Sequence, residues 1–415
     1  MTTILSRPKE KIKVLLLEGI AETAVAAFRS AGYTNIERLT KALNGAELRD
    51  ALDGVSMLGI RSRSQLTAEA LDGRRSVIAA GCFSVGTNQV ELMAARDMGI
   101  PVFNAPFSNT RSVAELTIAE IVMLFRHIFP KSAAAHRGDW LKSAAGAHEL
   151  RGKTLGIIGY GNIGSQLAEL AEAMGMRVIF YDPTDKLNRG NVQPRETLGV
   201  LLAESDVVSI HVPETAETKG MIGAAEFAAM KRGAFFINNA RGTVFDDEAL
   251  AAALKDGQLA GAAVDVFPVE PIANGEKFVS PLQGLDNVIL TPHIGGSTEE
   301  AQERIGSEVA RKLIEYSDVG STAGAVNFPQ VQLPQRPTGT RFIQVHQNLP
   351  GEINRLNAIF ARREINIAAQ YFQTDGQIGY VVLDADGHIE DAQNVLKEIR
   401  ALPGTIRARM LYSRS

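Results

Sequence analysis

Three polar side chains follow apolar segments in the second half of the chain. Arg241 comes after "AFFINNA", Glu270 stands between two prolines in "VFPVEP", and His293 comes after "NVILTP". If those segments are parallel strands, the side chains lie beyond the carboxyl edge of a sheet, where ligands bind. An arginine grips a carboxylate through two hydrogen bonds, a histidine moves protons near neutral pH, and a paired glutamate raises the pKa of that histidine. Each residue alone is typical of a loop, but together they predict oxidation or reduction beside a carboxylate.

The stretch "LGIIGYGNIGSQLAELAEAMG" predicts a dinucleotide-binding turn between a strand and a helix. Gly159 permits a tight turn, Gly161 lets a pyrophosphate approach the backbone, and Gly164 lets the helix pack closely on the sheet. The helix N-terminus offers free N–H groups to the phosphates. Asp182 ends the next strand, "VIFYD", where a carboxylate binds ribose hydroxyls and repels a 2′-phosphate. The pattern favours NAD over NADP, and over the alternative of a glycine-rich turn beside an unrelated acidic residue.

The composition limits the classes of partner. The chain has 415 residues, 45% of them hydrophobic and 22% charged, with a net charge of −4. Such a balance is typical of a globular protein and argues against a nucleic-acid or membrane partner. Cys82 is the single cysteine, which excludes an intrachain disulfide and favours a reducing compartment. The N-terminus lacks the order of a signal peptide, and Glu120 interrupts the longest apolar stretch, so a cytoplasmic location is expected.

Short apolar runs alternate with amphipathic segments and glycine stops over most of the chain. This rhythm predicts two successive doubly wound α/β domains of the Rossmann or flavodoxin type, separated by a helical zone at about 112–129. A helix is expected from near Ser297, and "NFPQVQLPQRPTG" is interpreted as a linker because it holds three prolines. From Arg341 the order changes to βαββαβ, which is the ferredoxin-like arrangement.

Nine segments of the chain match the pattern of a known family: "GIRSRS" (59–64), "GCFSVGTNQV" (81–90), "FNAPFSNTRSVAE" (103–115), "GIIGYGNIG" (156–164), "NARGTVFD" (239–246), "AAVDVFPVEP" (262–271), "TPHIGGST" (291–298), "HQNLPGEI" (346–353) and "NIAAQY" (366–371). On these segments the chain resembles the D-isomer-specific 2-hydroxyacid dehydrogenases, in the form with a C-terminal ACT domain. The resemblance implies a discontinuous substrate domain over 8–108 and 296–337, an NAD-binding domain over 109–295 and an ACT regulatory domain over 339–415. It implies that the chain crosses between domains near Ser108–Thr110 and near Gly295–Gly296, where glycines would absorb a closing rotation.

The resemblance also implies roles for individual residues. Arg241, Glu270 and His293 match the family's catalytic residues, and no metal is expected. The implied cofactor is NAD, bound by Gly159, Gly161, Asn162, Ile163, Gly164, Asp182, Asn239, Ala240, Arg241, Asp265, His293 and Gly296.

A second set is implied for the substrate: Arg61, Ser62, Arg63, Asn109 and Lys142. Two arginines within three residues suit a phosphate dianion better than an apolar group. The implied reaction is the oxidation of 3-phospho-D-glycerate to 3-phosphohydroxypyruvate, the first committed step of L-serine biosynthesis. Reduction of 2-oxoglutarate to 2-hydroxyglutarate is a possible side reaction. One departure concerns "LTKAL", where Lys41 stands one place later than the lysine of related proteins.

By the same resemblance, His346, Asn348 and Asn366 match an L-serine effector site in paired ACT domains, and the assembly is expected to be a homotetramer. A second departure is "RPTG" in the linker, where Pro337 stiffens a joint that carries two glycines in related proteins. Serine is expected to act by restraining domain closure. Two alternatives stay open: another D-2-hydroxyacid dehydrogenase of the glyoxylate or D-lactate type, and an NAD-sensing binding protein like a corepressor.

Overall fold

Apolar strands and the turns after them build the first part of the chain. The computed structural model describes residues 4–5, 7–271, 275–334, 339–386 and 392–414. The strands here are β1 (Ile4–Leu5), β2 (Lys13–Leu16), β3 (Ile36–Arg38), β4 (Val55–Ile60), β5 (Ala79–Cys82) and β6 (Val102–Phe103). The helices are α1 (Glu22–Ser30), α2 (Gly45–Ala51), α3 (Ala68–Leu71) and α4 (Leu92–Asp97).

Strands β2 to β6 form a parallel sheet in the order β3-β2-β4-β5-β6. Alternate residues of β2 enter two different cores, with Val14 and Leu16 on one face and Leu15 on the other. A strand that is apolar on both faces is typical of a sheet covered by helices on both sides. The strand order reverses direction between β2 and β4, which makes their carboxyl ends a switch point.

The middle of the chain forms a second parallel sheet. Its strands are β7 (Thr154–Ile158), β8 (Arg177–Tyr181), β9 (Gln193–Pro194), β10 (Val207–Ile210), β11 (Ala234–Asn238), β12 (Leu259–Val264) and β13 (Val288–Leu290). Its helices are α5 (Thr110–Phe125), α6 (Ile128–His136), α7 (Asn162–Ala173), α8 (Leu198–Glu204), α9 (Ala224–Ala229) and α10 (Asp247–Lys255). The order β13-β12-β11-β10-β7-β8-β9 places the switch point between β7 and β10.

The last part begins with α11 (Glu299–Val319) and ends in an antiparallel sheet. The tail contains β14 (Gly339–Gln347), α12 (Glu352–Arg362), β15 (Ile367–Thr374), β16 (Ile378–Ala385), α13 (Ala392–Ala401) and β17 (Thr405–Arg414). The sheet has the order β1-β17-β14-β16-β15. One face packs against α12 and α13 through an apolar cluster that includes Phe360 and Ile399.

The chain divides into two compact units, Met1–Ser108 with Gln302–Ser415, and Asn109–Ala301. We call them the first and the second unit. Gly295 and Gly296 lie inside the second unit, which extends to Ala301.

The predicted fold class is confirmed: two parallel α/β sheets and a ferredoxin-like tail are present. Three local features differ from the predictions or were not predicted. The helical zone is broken at His127, whose backbone is left-handed (φ 51°), so that α5 and α6 are separate. The strand β1 joins the tail sheet beside β17. The proline-rich segment is not a loose linker as far as residue 334, because Phe328, Val331 and Leu333 are buried in the core of the first unit. Pro337 lies outside the described residues.

Candidate active site

The turn after β7 has the geometry of a dinucleotide cradle. Gly159 has φ 90°, and a Cβ atom there would lie 2.7 Å from the carbonyl oxygen of His211. A Cβ atom at Gly164 would lie 2.4 Å from the carbonyl oxygen of Gly159, so α7 packs too closely for a side chain. A Cβ atom at Gly161, the N-cap of α7, would meet no atom of the described residues within 4 Å. Space therefore remains in front of the α7 N–H groups, as a pyrophosphate requires.

Asp182 lies just beyond β8 and accepts hydrogen bonds on both carboxylate oxygens. The N–H of Tyr160, inside the glycine turn, donates to Oδ2 at 3.0 Å, and the N–H and hydroxyl of Thr184 donate to Oδ1. Asp182 thus fastens the glycine turn to the end of the neighbouring strand. Each carboxylate oxygen accepts about two hydrogen bonds, so Oδ2 has capacity for one ribose hydroxyl.

Arg241 follows β11 in an extended conformation and immediately precedes a short 3-10 turn. The loop that carries it is braced by Asn238, which is fully buried at the end of the strand. The Asn238 side chain donates to the carbonyl of Arg241 at 2.9 Å and accepts the N–H of Ala240 at 3.0 Å. Sequence analysis missed Asn238 because an asparagine at a strand end is also an ordinary turn residue.

His293 and Glu270 form a direct pair beyond the ends of β12 and β13. Nδ1 of His293 donates to Oε2 of Glu270 at 2.8 Å, and the N–H of Phe267 donates to Oε1 at 3.0 Å. His293 has a left-handed backbone (φ 54°), which turns its side chain at a position where most residues are strained. About half of the imidazole surface is exposed, at 52%. With Nδ1 facing Glu270, Nε2 is the nitrogen that can exchange a proton with a ligand.

Asp265 holds the loop that carries His293. Its Oδ1 accepts the Thr291 hydroxyl at 2.6 Å and the Ile294 N–H at 2.8 Å, and its Oδ2 accepts the Gly295 N–H at 2.7 Å. Its backbone carbonyl accepts the N–H of His293 itself at 2.8 Å. These contacts support a positioning role for a residue that the resemblance implies in cofactor binding.

Charges around the pair adjust its titration. The hydrogen bond that His293 donates to Glu270 raises the pKa of His293 above its ordinary value, burial opposes this, and the charges of Glu270 and Asp265 add to the increase. Burial raises the pKa of Glu270, but the hydrogen bond with His293 and the N–H of Phe267 outweigh it and the pKa is lowered. The positive charge of Arg241 lowers both pKa values, which places the three side chains in one electrostatic environment.

The side chain of Asn239 points into the protein. Its Nδ2 donates to Oε2 of Glu120 at 2.6 Å and to the hydroxyl of Thr117 at 3.1 Å, both on α5. Burial raises the pKa of Glu120 to about 8, against the effect of Asn239, and the charge of Asp265 adds to it. Burial therefore favours the neutral form of the carboxyl group that supports the loop before Arg241. No sequence pattern identified Glu120, because its partner is far away along the chain.

Two substrate candidates lie in the second unit at different places. Asn109 lies against Gly296, where a Cβ atom would be 2.3 Å from Nδ2 of Asn109. Lys142 is exposed in the irregular segment between α6 and β7. Within the described residues, Lys142 forms no hydrogen bond or ion pair with another candidate residue.

In the first unit, Arg61, Ser62 and Arg63 form the turn after β4. The backbone N–H groups of Arg61 and Arg63 donate to the buried carboxylate of Glu18. Ser62 and Arg63 are exposed, whereas Arg61 is partly buried. The ammonium group of Lys41 is paired with Glu47 at the surface. The carbonyl of Lys41 accepts the N–H of Glu18 at 3.1 Å, so this loop and the arginine turn share an anchor.

The three effector candidates of the tail do not meet within one chain. His346, on β14, is opposite Gly379 of β16, and Asn348 donates to the carbonyl of Gly376 at 3.3 Å. Asn366 precedes β15, whose first residue pairs with Ala385, and Ala385 pairs with Thr340 at the start of β14. Thr340 and His346 are six residues apart on one strand, roughly 20 Å at about 3.3 Å per residue.

The turn beside Asn348 contacts the rest of the first unit. The N–H of Asn348 donates to the carbonyl of Gln377 at 2.8 Å. The side-chain oxygen of Gln377 accepts a hydrogen bond from Arg96 at 2.6 Å, and Arg96, on α4, is buried. His346 is also buried, and its Nε2 has no hydrogen-bond partner among the described residues.

Two kinds of site are not found. No cluster of three or more histidine, cysteine, aspartate or glutamate side chains suited to a metal is present among the described residues. In the same part of the chain no helix is both long and apolar enough to cross a membrane.

Comparison with known proteins agrees with this geometry. Residues 118–295 match the family model described as D-isomer specific 2-hydroxyacid dehydrogenase, NAD binding domain, and residues 342–407 match an AHAS small subunit-like ACT domain. The D-3-phosphoglycerate dehydrogenase of Haemophilus influenzae is 55% identical over 412 residues, 99% of this chain and 100% of that protein. The chain belongs to the D-3-phosphoglycerate dehydrogenases, a branch of the D-isomer specific 2-hydroxyacid dehydrogenase family.

Other members of the family differ in how much of the chain they cover. D-3-phosphoglycerate dehydrogenase 1 of Saccharomyces cerevisiae is 44% identical over 414 residues, 97% of this chain and 88% of that protein. The structure of D-lactate dehydrogenase from Aquifex aeolicus, complexed with NAD and lactic acid, superposes with a TM-score of 0.64 at 29% identity. It covers 74% of this chain and 96% of the other. Similarity to the phosphoglycerate branch therefore extends over nearly the whole chain, including the tail.

Proposed function

We propose that this chain is an NAD-dependent dehydrogenase that oxidises 3-phospho-D-glycerate to 3-phosphohydroxypyruvate, the first committed step of L-serine biosynthesis. The observation that carries the proposal is the 2.8 Å pair of His293 and Glu270, which shares its electrostatic environment with Arg241 beyond the carboxyl ends of an NAD-binding sheet. Full-length similarity to proteins named D-3-phosphoglycerate dehydrogenase supports the choice of substrate.

The catalytic roles follow from the chemistry of the three side chains. Arg241 binds the substrate carboxylate and orients the C2 hydroxyl group. Nε2 of neutral His293 takes the hydroxyl proton, and the resulting imidazolium is stabilised by Glu270. A bound NAD would supply the acceptor for the hydride that leaves C2. The balanced products are the 2-oxo acid, reduced cofactor and one proton.

For the cofactor we propose contacts with the glycine turn, the end of β8 and the three catalytic loops. The set is Gly159, Gly161, Asn162, Ile163, Gly164, Asp182, Asn239, Ala240, Arg241, Asp265, His293 and Gly296. The open space at Gly161 supports the phosphate position. The internal hydrogen bonds of Asn239 and Asp265 support a contribution through the loops they hold.

For the substrate we propose Arg61, Ser62, Arg63, Asn109 and Lys142. Arg61 and Arg63 follow β4 at the switch point of the first sheet, which is a place where ligands bind. Guanidinium groups are the usual partners of phosphate. The distal carboxylate of 2-oxoglutarate is also an anion, so we propose its reduction to 2-hydroxyglutarate as a side activity.

We further propose that the regulatory ligand is L-serine, bound between two tails through His346, Asn348 and Asn366. In the described sheet β1 lies beside β17, and β1 and β15 are the two edge strands. If the β15 strands of two subunits pair antiparallel about their common centre, the partner subunit's Asn366 lies opposite Asp375. Asp375 is next to Gly376, whose carbonyl accepts a hydrogen bond from Asn348. The site is then complete only in an assembly, for which we propose a homotetramer.

The contact between Arg96 and the turn beside Asn348 supports a path by which serine binding could affect the first unit. Asn348 is bonded to Gln377, and Gln377 is bonded to Arg96 of α4 in the first unit. We propose that serine acts on the first unit through this turn. The domain bounds of 8–108 with 296–337, 109–295 and 339–415, and the cytoplasmic location, stay predictions.

A spectrophotometric assay tests the proposed reaction. We expect oxidation of NADH with 3-phosphohydroxypyruvate at a kcat/KM well above those for glyoxylate and pyruvate, and much slower turnover with NADPH. A preference for glyoxylate or pyruvate would favour a different 2-hydroxyacid dehydrogenase. NADH binding without turnover of any 2-oxo acid would favour the sensing function.

A further inference from the structure

Glu18 is a buried carboxylate that follows β2. Its side chain is only 1% exposed. Oε1 accepts the N–H groups of Arg61 at 3.0 Å and Ser64 at 2.9 Å, and Oε2 accepts the N–H of Arg63 at 3.0 Å. Burial raises the pKa of Glu18, but these N–H donors together outweigh it, and the pKa lies below its ordinary value. The carboxylate is therefore ionised at neutral pH.

The position of Glu18 is the place where a ligand is expected. Glu18 follows β2 and Arg61 follows β4, which are neighbours in the sheet and flank its switch point. Ligands of doubly wound sheets bind outside this point. The carboxylate and the two arginines therefore belong to one edge of the first sheet.

The backbone of Glu18 is in the left-handed region (φ 59°), which favours glycine. The N–H of Glu18 donates to the carbonyl of Lys41 at 3.1 Å, and the N–H of Gly19 donates to the carbonyl of Leu39 at 2.9 Å. These bonds hold the unfavourable conformation. A residue with a long side chain at such a position indicates that the carboxylate itself is needed.

Further side chains fix the same turn. Nε2 of Gln89 donates to the carbonyl of Arg61 and, at 3.0 Å, to the hydroxyl of Ser84. The hydroxyl of Ser64 accepts the N–H of Leu43 at 3.2 Å. The backbone of residues 61–64 is thus held from several sides, while the side chain of Arg63 is 46% exposed.

The N–H groups of the turn converge on one point, which is the arrangement by which backbone loops bind anions. Here Glu18 occupies that point. An incoming anion can therefore bind the guanidinium groups but not these N–H groups. One guanidinium group is close to the carboxylate, since Nε of Arg63 lies 3.6 Å from Oε2 of Glu18. One fixed negative charge beside two positive charges leaves a net charge of +1, which moderates the repulsion between Arg61 and Arg63 before an anion binds.

We infer that Glu18 is a positioning residue for phosphate recognition: its carboxylate fills the N–H cluster of the turn at residues 61–64 and presents Arg61 and Arg63 to the substrate phosphate. This inference rests on the proposed function. It assigns to Glu18 no contact with the reacting atoms, so its loss acts on the binding of phosphorylated substrate and leaves proton transfer at His293 intact.

The test compares two substrates that differ only in the phosphate. The full-length chain with Glu18→Gln, which keeps the size of the side chain but loses its charge, is assayed with NADH and either 3-phosphohydroxypyruvate or hydroxypyruvate. We expect KM for the phosphorylated substrate to rise by about tenfold or more, the effect of losing hydrogen bonds to a charged group. The kcat for it, the KM for NADH and the kcat/KM for hydroxypyruvate should change by less than about threefold.

Two further variants make the test specific. Glu18→Asp keeps the charge on a shorter side chain and should restore part of the lost affinity; it also serves as the test if Glu18→Gln does not fold. Glu22→Gln removes an exposed carboxylate at the start of α1 that pairs with Arg38, and should leave both substrates unaffected.

The outcomes separate the two proposals. Equal losses for the two substrates, or no loss for either, would overturn the role of Glu18. A wild-type chain that does not reduce 3-phosphohydroxypyruvate would instead overturn the proposed function.

Discussion

The imidazole of His293 has one nitrogen bonded to Glu270 and one directed away from it. The raised pKa of His293 has opposite consequences for the two directions of the reaction. Oxidation needs the neutral ring as a base, so kcat/KM falls when the pH drops through this pKa. Reduction needs the imidazolium as an acid, so kcat/KM falls when the pH rises through it.

Glu270→Gln should move the pH at which oxidation is lost and the pH at which reduction is lost in the same direction. The hydrogen bond and charge of Glu270 raise the pKa of His293, and the amide removes the charge. We expect the acidic limb of the oxidation profile and the basic limb of the reduction profile to shift to lower pH. The measurement is kcat/KM against pH in both directions, with Glu248→Gln at an exposed position of α10 as the control. Profiles that coincide with those of the wild type would exclude the Glu270–His293 pairing from the reaction.

Single residues show where sequence reasoning reaches its limit. Residue type and strand ends were enough to predict that Glu270 and His293 contact each other, whereas their catalytic roles stay predictions. Glu18 and Glu120 were missed because each acts on a loop that folding brings near it. Asn238 was missed because an asparagine at a strand end is also an ordinary turn residue. Glu120, for example, contacts Asn239 across 119 positions of sequence. A buried acid within an apolar helix is the one available signal, and it was interpreted only as an interruption of an apolar stretch.

At the scale of elements, glycines at the start of α7 have two different functions: Gly161 leaves space for the pyrophosphate, and Gly164 allows close packing of the helix. Gly161→Ala places a methyl group in the space proposed for the pyrophosphate, whereas Gly164→Ala places one against the carbonyl of Gly159. We expect the first variant to keep its melting temperature and bind NADH at least tenfold more weakly, about 1.4 kcal/mol. The second should lose thermal stability.

Calorimetric titration with NADH and thermal unfolding of both variants check this prediction. The two glycines are matched controls for each other, since Gly161 is the N-cap of α7 and Gly164 lies in its first turn. Normal NADH affinity in a folded Gly161→Ala variant would remove the phosphate position from this turn.

Arg96→Ala tests whether inhibition by bound serine is transmitted through α4. The guanidinium group is bonded to Gln377, and Gln377 is bonded to Asn348. We expect serine to bind the variant in calorimetry, but to inhibit it less, because allosteric coupling of about 1–3 kcal/mol passes through such contacts. Uninhibited kcat should be unchanged, as in the control Arg29→Ala at the surface of α1.

Unchanged inhibition of Arg96→Ala by serine would show that coupling runs elsewhere. A wild-type chain that does not bind serine would instead remove the effector proposal itself.

The order of strands and helices was predictable because short apolar runs and amphipathic helical patterns follow directly from burial. Long-range pairing was not. The partnership of β1 with β17 joins opposite ends of the chain, and two residues carry no periodicity that identifies it. The break between α5 and α6 rests on the left-handed backbone of His127, a residue type that the pattern does not mark as a helix end.

At the scale of the whole molecule, prolines alone were a poor guide to flexibility. The segment after α11 is rich in proline, yet Phe328, Val331 and Leu333 share the core of the first unit with Ile343 and Tyr380 of the tail. Apolar residues between the prolines are the signal that sequence analysis left unused. The tail is therefore packed as part of the first unit instead of being carried on a free linker up to residue 334.

The central claim is that His293 transfers the proton in a hydride-transfer reaction on a bound 2-oxo acid. The most direct measurement is the rate of NADH oxidation with saturating 3-phosphohydroxypyruvate in His293→Ala, together with the dissociation constant of NADH. We predict that kcat falls by about two to four orders of magnitude while the dissociation constant stays within about threefold of the wild type. Turnover near the wild-type rate, or loss of NADH binding in a folded variant, would contradict the account.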